Sequence, residues 1–299
     1  MKKHYFILLA FLITLLSCSE QKSEEKSANS DLKTISFKNT AETKAYFQWN
    51  ESAPKLVSAH RGGPYPGYPE NSIEAFENVL KYTQAIIECD IAVTRDGKLI
   101  LMHDDKLNRT TTGFGLVNNK MWNEIQQLNL KDSEGNITPF KVPSLEQVLE
   151  WAKGKVFLTL DIKRGVSLEK VNELIKKTDT EPYVAIITYN HKSAKEVFAM
   201  NPELMISISA RNLGDIERIK NSGINPDNLI AFTGVSEPEP EVYKELHKMG
   251  IYAILGALGN LDRRALARGD QFYEELYRNG ADILATDRPI EVAKQLTRQ

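Results

Sequence analysis

The sequence predicts an α/β fold, a TIM-type (β/α)8 barrel, with a doubly wound parallel sheet as the other arrangement of the same units. Three observations carry this. From Leu56 onward, short β-branched runs alternate with helical patterns, as in parallel strands joined by crossover helices. Several strand candidates are apolar without alternation, as expected of strands covered on both faces. The 299 residues suit one barrel, a fold that reaches about 250 residues and more as a single domain. The spacing between strands varies too widely for a solenoid repeat.

The chain opens on "MKKHYFILLAFLITLLSCSE". Lys2 and Lys3 precede an apolar run, Tyr5 to Leu16, shorter than the about 20 residues a membrane-spanning helix needs. Residues 1–17 therefore read as an export signal. "LLSC" resembles a bacterial lipobox, so Cys18 is expected to carry a lipid and anchor the protein to a membrane, in the periplasm or at the cell surface. Plain secretion after cleavage near Ser17 is the alternative. Residues 18–50 are then a tether and N-terminal extension, polar and aperiodic from Lys22 to Asp31, and 51–299 the barrel domain. Cys89 is the only other cysteine, which leaves no disulfide framework.

Strands are predicted at Lys55–His60, Ala85–Val93, Leu99–His103, Val156–Ile162, Tyr183–Tyr189, Met205–Ala210, Leu229–Thr233, Ile251–Ala257 and Asp282–Thr286, one more than such a barrel holds. Asn71 with Glu74, and Ser144 with Gln147, read as capping boxes that start helices. Further helical patterns lie near Leu168–Lys177, Ser193–Met200, Asp215–Asn221, Pro240–Met249 and Gln271–Asn279.

Function in this architecture collects at the C-terminal strand ends. There stand His60 and Arg61, Glu88 and Asp90, His103 and Asp104, Asp161 and Lys163, and Asp287. Glu88 and Asp90, two apart on a strand, share a face, and Cys89 points to the other as a small buried hydrophobe. Like charges on an apolar strand repel and lose hydration. Either the pair lies at an edge with Lys or Arg partners, or it holds a cation. Asp161 with Lys163 is a salt bridge or, beside Glu88 and Asp90, a third oxygen ligand with a cationic neighbour. Three carboxylates suit one hard divalent cation, Ca²⁺ or Mg²⁺.

"RDGK" signals a tight turn. With a two-residue loop, Arg95 faces Lys98 and Asp90 falls opposite His103, in an antiparallel pair, because the connection is too short for a parallel crossover. His60 and His103 can each accept or donate a proton near neutral pH, and Arg61 can clamp an oxyanion. Together these groups describe phosphoryl or phosphodiester chemistry. A net charge of -2 gives no basic footprint for nucleic acid, and no protein partner is predicted.

In this order, "AHRG" (Ala59–Gly62), "PENS" (Pro69–Ser72), "ECD" (Glu88–Asp90), "RDG" (Arg95–Gly97), "MHDDKLNRTTTGFG" (Met102–Gly115), "LDIK" (Leu160–Lys163) and "GADILATDRP" (Gly280–Pro289) resemble the glycerophosphodiester phosphodiesterase family. The resemblance implies a phospholipase C-like TIM barrel that hydrolyses glycerophosphodiesters to glycerol 3-phosphate and an alcohol with a divalent cation. It implies His60 and His103 as catalytic, Glu88, Asp90 and Asp161 as metal ligands, and Arg61 and Lys163 on the phosphate. Glu70 would lie near the metal or the glycerol hydroxyls, with Asn71 as a helix cap. The segment Asp104–Pro143 matches the family's variable insertion, where Arg109 and Thr110–Thr112 are expected to organise the mouth. Two departures stand out. Asp161 replaces the commoner Glu, and "YAILGALGNLDRRALARGD" replaces an aromatic-led strand; the altered strand motivates one alternative, a related enzyme for intact phospholipid or a sugar phosphodiester, and a non-catalytic, lipid-anchored phosphodiester binder is another. Arg263, Arg264 and Arg268 are expected on a solvated helix face.

Overall fold

The computed structural model describes residues 32–296; the expected export signal, Cys18 and the polar stretch to Asp31 lie outside them. Among the described residues no helix is long and apolar enough to cross a membrane. The strands are β1 (Leu56–Ala59), β2 (Ala85–Val93), β3 (Leu99–Leu101), β4 (Asn129–Lys131), β5 (Ile137–Lys141), β6 (Phe157–Ile162), β7 (Val184–Thr188), β8 (Met205–Ser209), β9 (Leu229–Phe232), β10 (Tyr252–Gly256) and β11 (Ile283–Thr286). The parallel order runs β1-β2-β6-β7-β8-β9-β10-β11, and β11 pairs back onto β1. The sheet closes into the predicted barrel, which sets aside the doubly wound sheet.

The surplus strand is β3, antiparallel to β2. Its register differs from expectation by one residue: Ile91 faces Leu101 and Val93 faces Leu99. Thr94 N–H donates to Lys98 C=O at 3.0 Å, so the loop is Arg95-Asp96-Gly97, with Gly97 at φ 82°. This is a three-residue hairpin with glycine in the left-handed position. Asp90 therefore stands opposite Met102, whose N–H reaches the Asp90 carbonyl at 2.9 Å, and His103 lies beyond the strand.

Ser144 and Gln147 form the predicted capping box of the helix Leu145–Ala152. At the helix Ile73–Leu80 the cap is Ser72, whose side chain accepts the Ala75 N–H. Asn71 sits at φ 57°, outside the extended conformation a cap requires, so its side chain is directed elsewhere. Other helices follow the predicted patterns within a residue or two, and Arg263, Arg264 and Arg268 lie exposed on the helix Asn260–Arg268.

Residues ahead of the expected domain start form the barrel floor, and the compact unit begins at Lys33. Ile35 N–H bonds the Lys155 carbonyl at 2.7 Å. Phe37 and Phe47, the latter closing the helix Thr40–Tyr46, pack against Phe157, Tyr183 and Tyr252, with the Phe47 and Phe157 rings 4.5 Å apart. An open barrel end would leave these apolar rings in water. Below them Asp282, 1% exposed, accepts from Lys55 Nζ at 2.8 Å, Trp49 Nε1 at 3.0 Å and Ala253 N–H at 2.8 Å, with His247 Nε2 at 2.8 Å. The insertion carries the β4–β5 hairpin and its own small core of Ile100, Met102, Leu107, Val117, Ile125, Leu130 and Val142.

Candidate active site

Parallel register brings the acids together. Asp90 on β2 pairs directly with Asp161 on β6, and Glu88 lies one pleat back. One oxygen from each of Glu88, Asp90 and Asp161 falls within 4.8 Å of the others. Cys89 between them is fully buried on the opposite face, as the alternation requires. Burial and the neighbouring Asp90 push the Glu88 carboxyl up to about 8, against the pull of His60 and the Arg61 N–H. Lys163 Nζ lies 2.6 Å from both Asp90 Oδ1 and Asp161 Oδ2. Burial disfavours its charge, but those two carboxylates prevail and raise its pKa. Asp161 Oδ1 is buried without a hydrogen-bond partner. An all-oxygen set of crowded carboxylates with an unsatisfied acceptor fits a hard divalent cation, and the shorter Asp161 still reaches the cluster.

The same logic of register builds the imidazole partner. Ala59 pairs with Thr286 across the seam that closes the barrel, so the next residues, His60 and Asp287, meet, with Nδ1 and Oδ1 2.6 Å apart. Burial lowers the basicity of His60, but the Asp287 hydrogen bond and the charges of Glu88 and Asp287 outweigh it and leave the pKa raised. Asp287 is supported in turn: the buried Asp262 accepts its N–H at 2.9 Å and the Thr286 hydroxyl at 2.7 Å. His103 carries a matching partner, Asp104, at 2.7 Å from its Nδ1. Arg109, with His103 adding to it, holds the Asp104 carboxyl well below the usual carboxylate range. In both rings Nδ1 is occupied and Nε2 is the group left for chemistry.

His60–Gly62 form a 3₁₀ turn in which Arg61 takes φ 52°. Gly62 is required there, since a Cβ would fall 2.1 Å from the Phe76 ring. The turn aims the Arg61 N–H at Glu88 Oε2, 2.7 Å away, and leaves its buried Nε without a hydrogen-bond partner. Asn71 donates from Nδ2 to Asp90 Oδ2 at 2.7 Å and accepts the Asp90 N–H at 2.9 Å. Glu70 is not one of the clustered acids. It bridges two guanidiniums, taking Arg109 Nη1 and Nη2 at 2.7 and 2.8 Å and Arg61 Nη1 at 3.3 Å. The expected mouth-organising role of Arg109 thus has a physical form: it ties Glu70 to Asp104.

A cavity of about 190 Å³ opens at the strand ends, with His60, Glu88 and Asp161 in its wall. Its far side is made of Ile187, Tyr189, Phe232, Ile254 and Leu258, with Ser207 and Ser209 among them. His103 stands outside that lining, joined to the centre through Asp104, Arg109, Glu70 and Arg61. Asp104 and Asp287 are legible in the sequence as strand-end acids, but their partners are not. For Asp104 the adjacent His103 was a usable signal; for Asp287, 227 residues from His60, there was none.

A family model described as the glycerophosphoryl diester phosphodiesterase family matches residues 60–285. The solved structure of a glycerophosphoryl diester phosphodiesterase from Parabacteroides distasonis is similar at a TM-score of 0.83 and 35% identity, over 89% of this chain and 94% of that one. A phosphodiesterase from Oleispira antarctica, solved with the product sn-glycerol-3-phosphate, shares the fold at a TM-score of 0.62 and 19% identity, over 81% of this chain and 96% of that one. The glycerophosphodiester phosphodiesterase of Caldanaerobacter subterraneus is 36% identical over 160 residues, 51% of this chain. That of Bacillus subtilis is 32% identical over 170 residues, 50% of this chain. The chain spans 65% and 57% of the lengths of these two curated relatives.

Proposed function

The chain belongs to the glycerophosphoryl diester phosphodiesterase family, and on that premise we propose that it hydrolyses glycerophosphodiesters to glycerol 3-phosphate and an alcohol. The observation that carries the reading is the cluster of Glu88, Asp90 and Asp161 beside an imidazole whose Nδ1 is held by a carboxylate. Those three acids would hold one divalent cation, Ca²⁺ or Mg²⁺, which when bound supplies Lewis-acid neutralisation of the phosphate. Arg61, whose Nε makes no hydrogen bond and lies 3.7 Å from Asp90 Oδ2, and Lys163 add positive charge for the remaining oxygens.

Hydrolysis adds water to phosphorus and breaks the bond to the alcohol oxygen. One proton must leave the attacking water and one must reach the departing alkoxide. His60 and His103 are the groups for those transfers, each held at Nδ1 by its own carboxylate, which leaves Nε2 for the proton. The test is hydrolysis of glycerophosphoethanolamine or glycerophosphoinositol, expected to vanish with a chelator and in His60→Ala or His103→Ala. Lack of activity on every glycerophosphodiester tried with Ca²⁺, Mg²⁺ or Mn²⁺ would overturn the proposal.

The apolar wall of Ile187, Phe232, Ile254 and Leu258 favours one second reading, an intact phospholipid as substrate, which the same assay separates by product. We place the enzyme outside the cytoplasm on a Cys18-linked lipid. Absence of fatty-acid labelling in the wild-type chain would refute the anchor and leave simple secretion.

A further inference from the structure

We infer that Asn71 is a positioning residue that sets Asp90 for the cation, an inference that rests on the reading of Glu88, Asp90 and Asp161 as the cation site. Asn71 is 3% exposed and left-handed at φ 57°. Its own N–H donates to the Arg61 carbonyl at 2.9 Å, and Arg61 is left-handed too, at φ 52°. These two residues bracket the Gly62–Glu70 loop, and each holds one acid of β2. The Arg61 N–H takes Glu88 Oε2, and the Asn71 amide takes Asp90 twice, once at the carboxylate and once at the backbone N–H.

The choice of residue is informative. Ser72 caps the following helix, so Asn71 is not needed there. A left-handed turn alone is served best by glycine, which this loop already uses at Gly62, Gly63 and Gly67. Asparagine tolerates the conformation and adds a donor and an acceptor at one fixed separation, both spent on the same aspartate. With Lys163 Nζ on Asp90 Oδ1, the carboxylate is gripped from both sides, and each oxygen keeps a lone pair for a cation. Partners that orient metal ligands in this way typically carry a 10–100-fold share of metal affinity.

The experiment is a titration of the full chain with Ca²⁺ or Mg²⁺ alone, read by thermal shift and by calorimetry, for wild type and Asn71→Gly. Glycine keeps the backbone and removes only the amide. The expected result is a cation dissociation constant raised about tenfold or more. Turnover should be recovered to within a few-fold at saturating cation, and KM for glycerophosphoethanolamine should move less than the cation midpoint. Asn71→Ser removes the carboxamide and leaves a short neutral side chain that cannot span both Asp90 groups; it is expected to weaken the cation in the same direction and serves if the glycine variant does not fold. A cation midpoint within twofold of wild type in these variants would overturn the inference and leave Asn71 a purely structural residue, whatever happens to the melting temperature. If wild type itself shows no response to either cation, the cation-site reading fails first.

Discussion

Replacing Asp287 by asparagine tests whether the seam between β1 and β11 sets the proton chemistry. His60 Nδ1 and Asp287 Oδ1 lie 2.6 Å apart, which keeps a proton on Nδ1 and the lone pair on Nε2. Asparagine has the same size but can turn an N–H toward the ring and select the other tautomer. Where a buried aspartate orients a catalytic histidine, that exchange costs about 10⁴ in kcat. The Asp287 side chain is 46% exposed, so solvent screens part of its charge, and we expect about 10²–10³ in kcat/KM. The cation midpoint should be unchanged. A second signature is pH. His60 is held above its ordinary value despite burial, by the Asp287 hydrogen bond and the charges of Glu88 and Asp287. An acid limb that reports neutral His60 lies above about 6.5 in wild type and moves to lower pH in the variant. The folding linkage has the matching sign. A raised histidine contributes stability that is fully present below its unfolded pKa and is lost as pH rises through the folded one. Asp287→Asn should therefore lower the melting temperature at pH 5.5 more than at pH 8.5. A variant with kcat/KM within threefold of wild type and an unmoved acid limb would refute the dyad.

Three further outcomes follow from the same geometry. Because burial and Asp90 push Glu88 up to about 8, a cation held by the proposed cluster would have to displace its proton at neutral pH. Affinity should fall about tenfold for each pH unit below that value, with roughly one proton released per cation near pH 7; calorimetry in buffers of different ionisation enthalpy measures both, and a flat profile from pH 6 to 8 contradicts it. Phe47→Ala empties the barrel floor beside Phe157 and should cost about 3–5 kcal/mol in urea unfolding while leaving KM unchanged, since the mouth lies at the other end. Asp282→Ala removes the buried acceptor shared by Lys55, Trp49, His247 and the Ala253 N–H and should cost about 3–5 kcal/mol in urea unfolding; Lys55, partly exposed and still bonded to the Ala281 carbonyl, accounts for the smaller part, so adding Lys55→Met should recover little.

Features set by neighbours along the chain were legible in the residues alone. Strand and helix periods, the shared face of Glu88 and Asp90, and the antiparallel sense of the short β2–β3 connection all follow from local geometry, as does the Ser144 cap. Motif order agreed in setting Asp161 beside Glu88 and Asp90, and a barrel with its acids gathered at the strand ends was legible from these alone. Features set by closure and by single dihedrals emerged with the fold. One left-handed glycine lengthened the hairpin loop and moved Asp90 from His103 to Met102. One left-handed asparagine passed the helix cap to Ser72 and turned the Asn71 amide onto Asp90. The floor of Phe37 and Phe47 needed the barrel's open end to show what those aromatics were for. The meeting of His60 with Asp287 required the last strand to pair with the first in one register, a contact between chain ends that carries no periodicity for a local pattern to reveal.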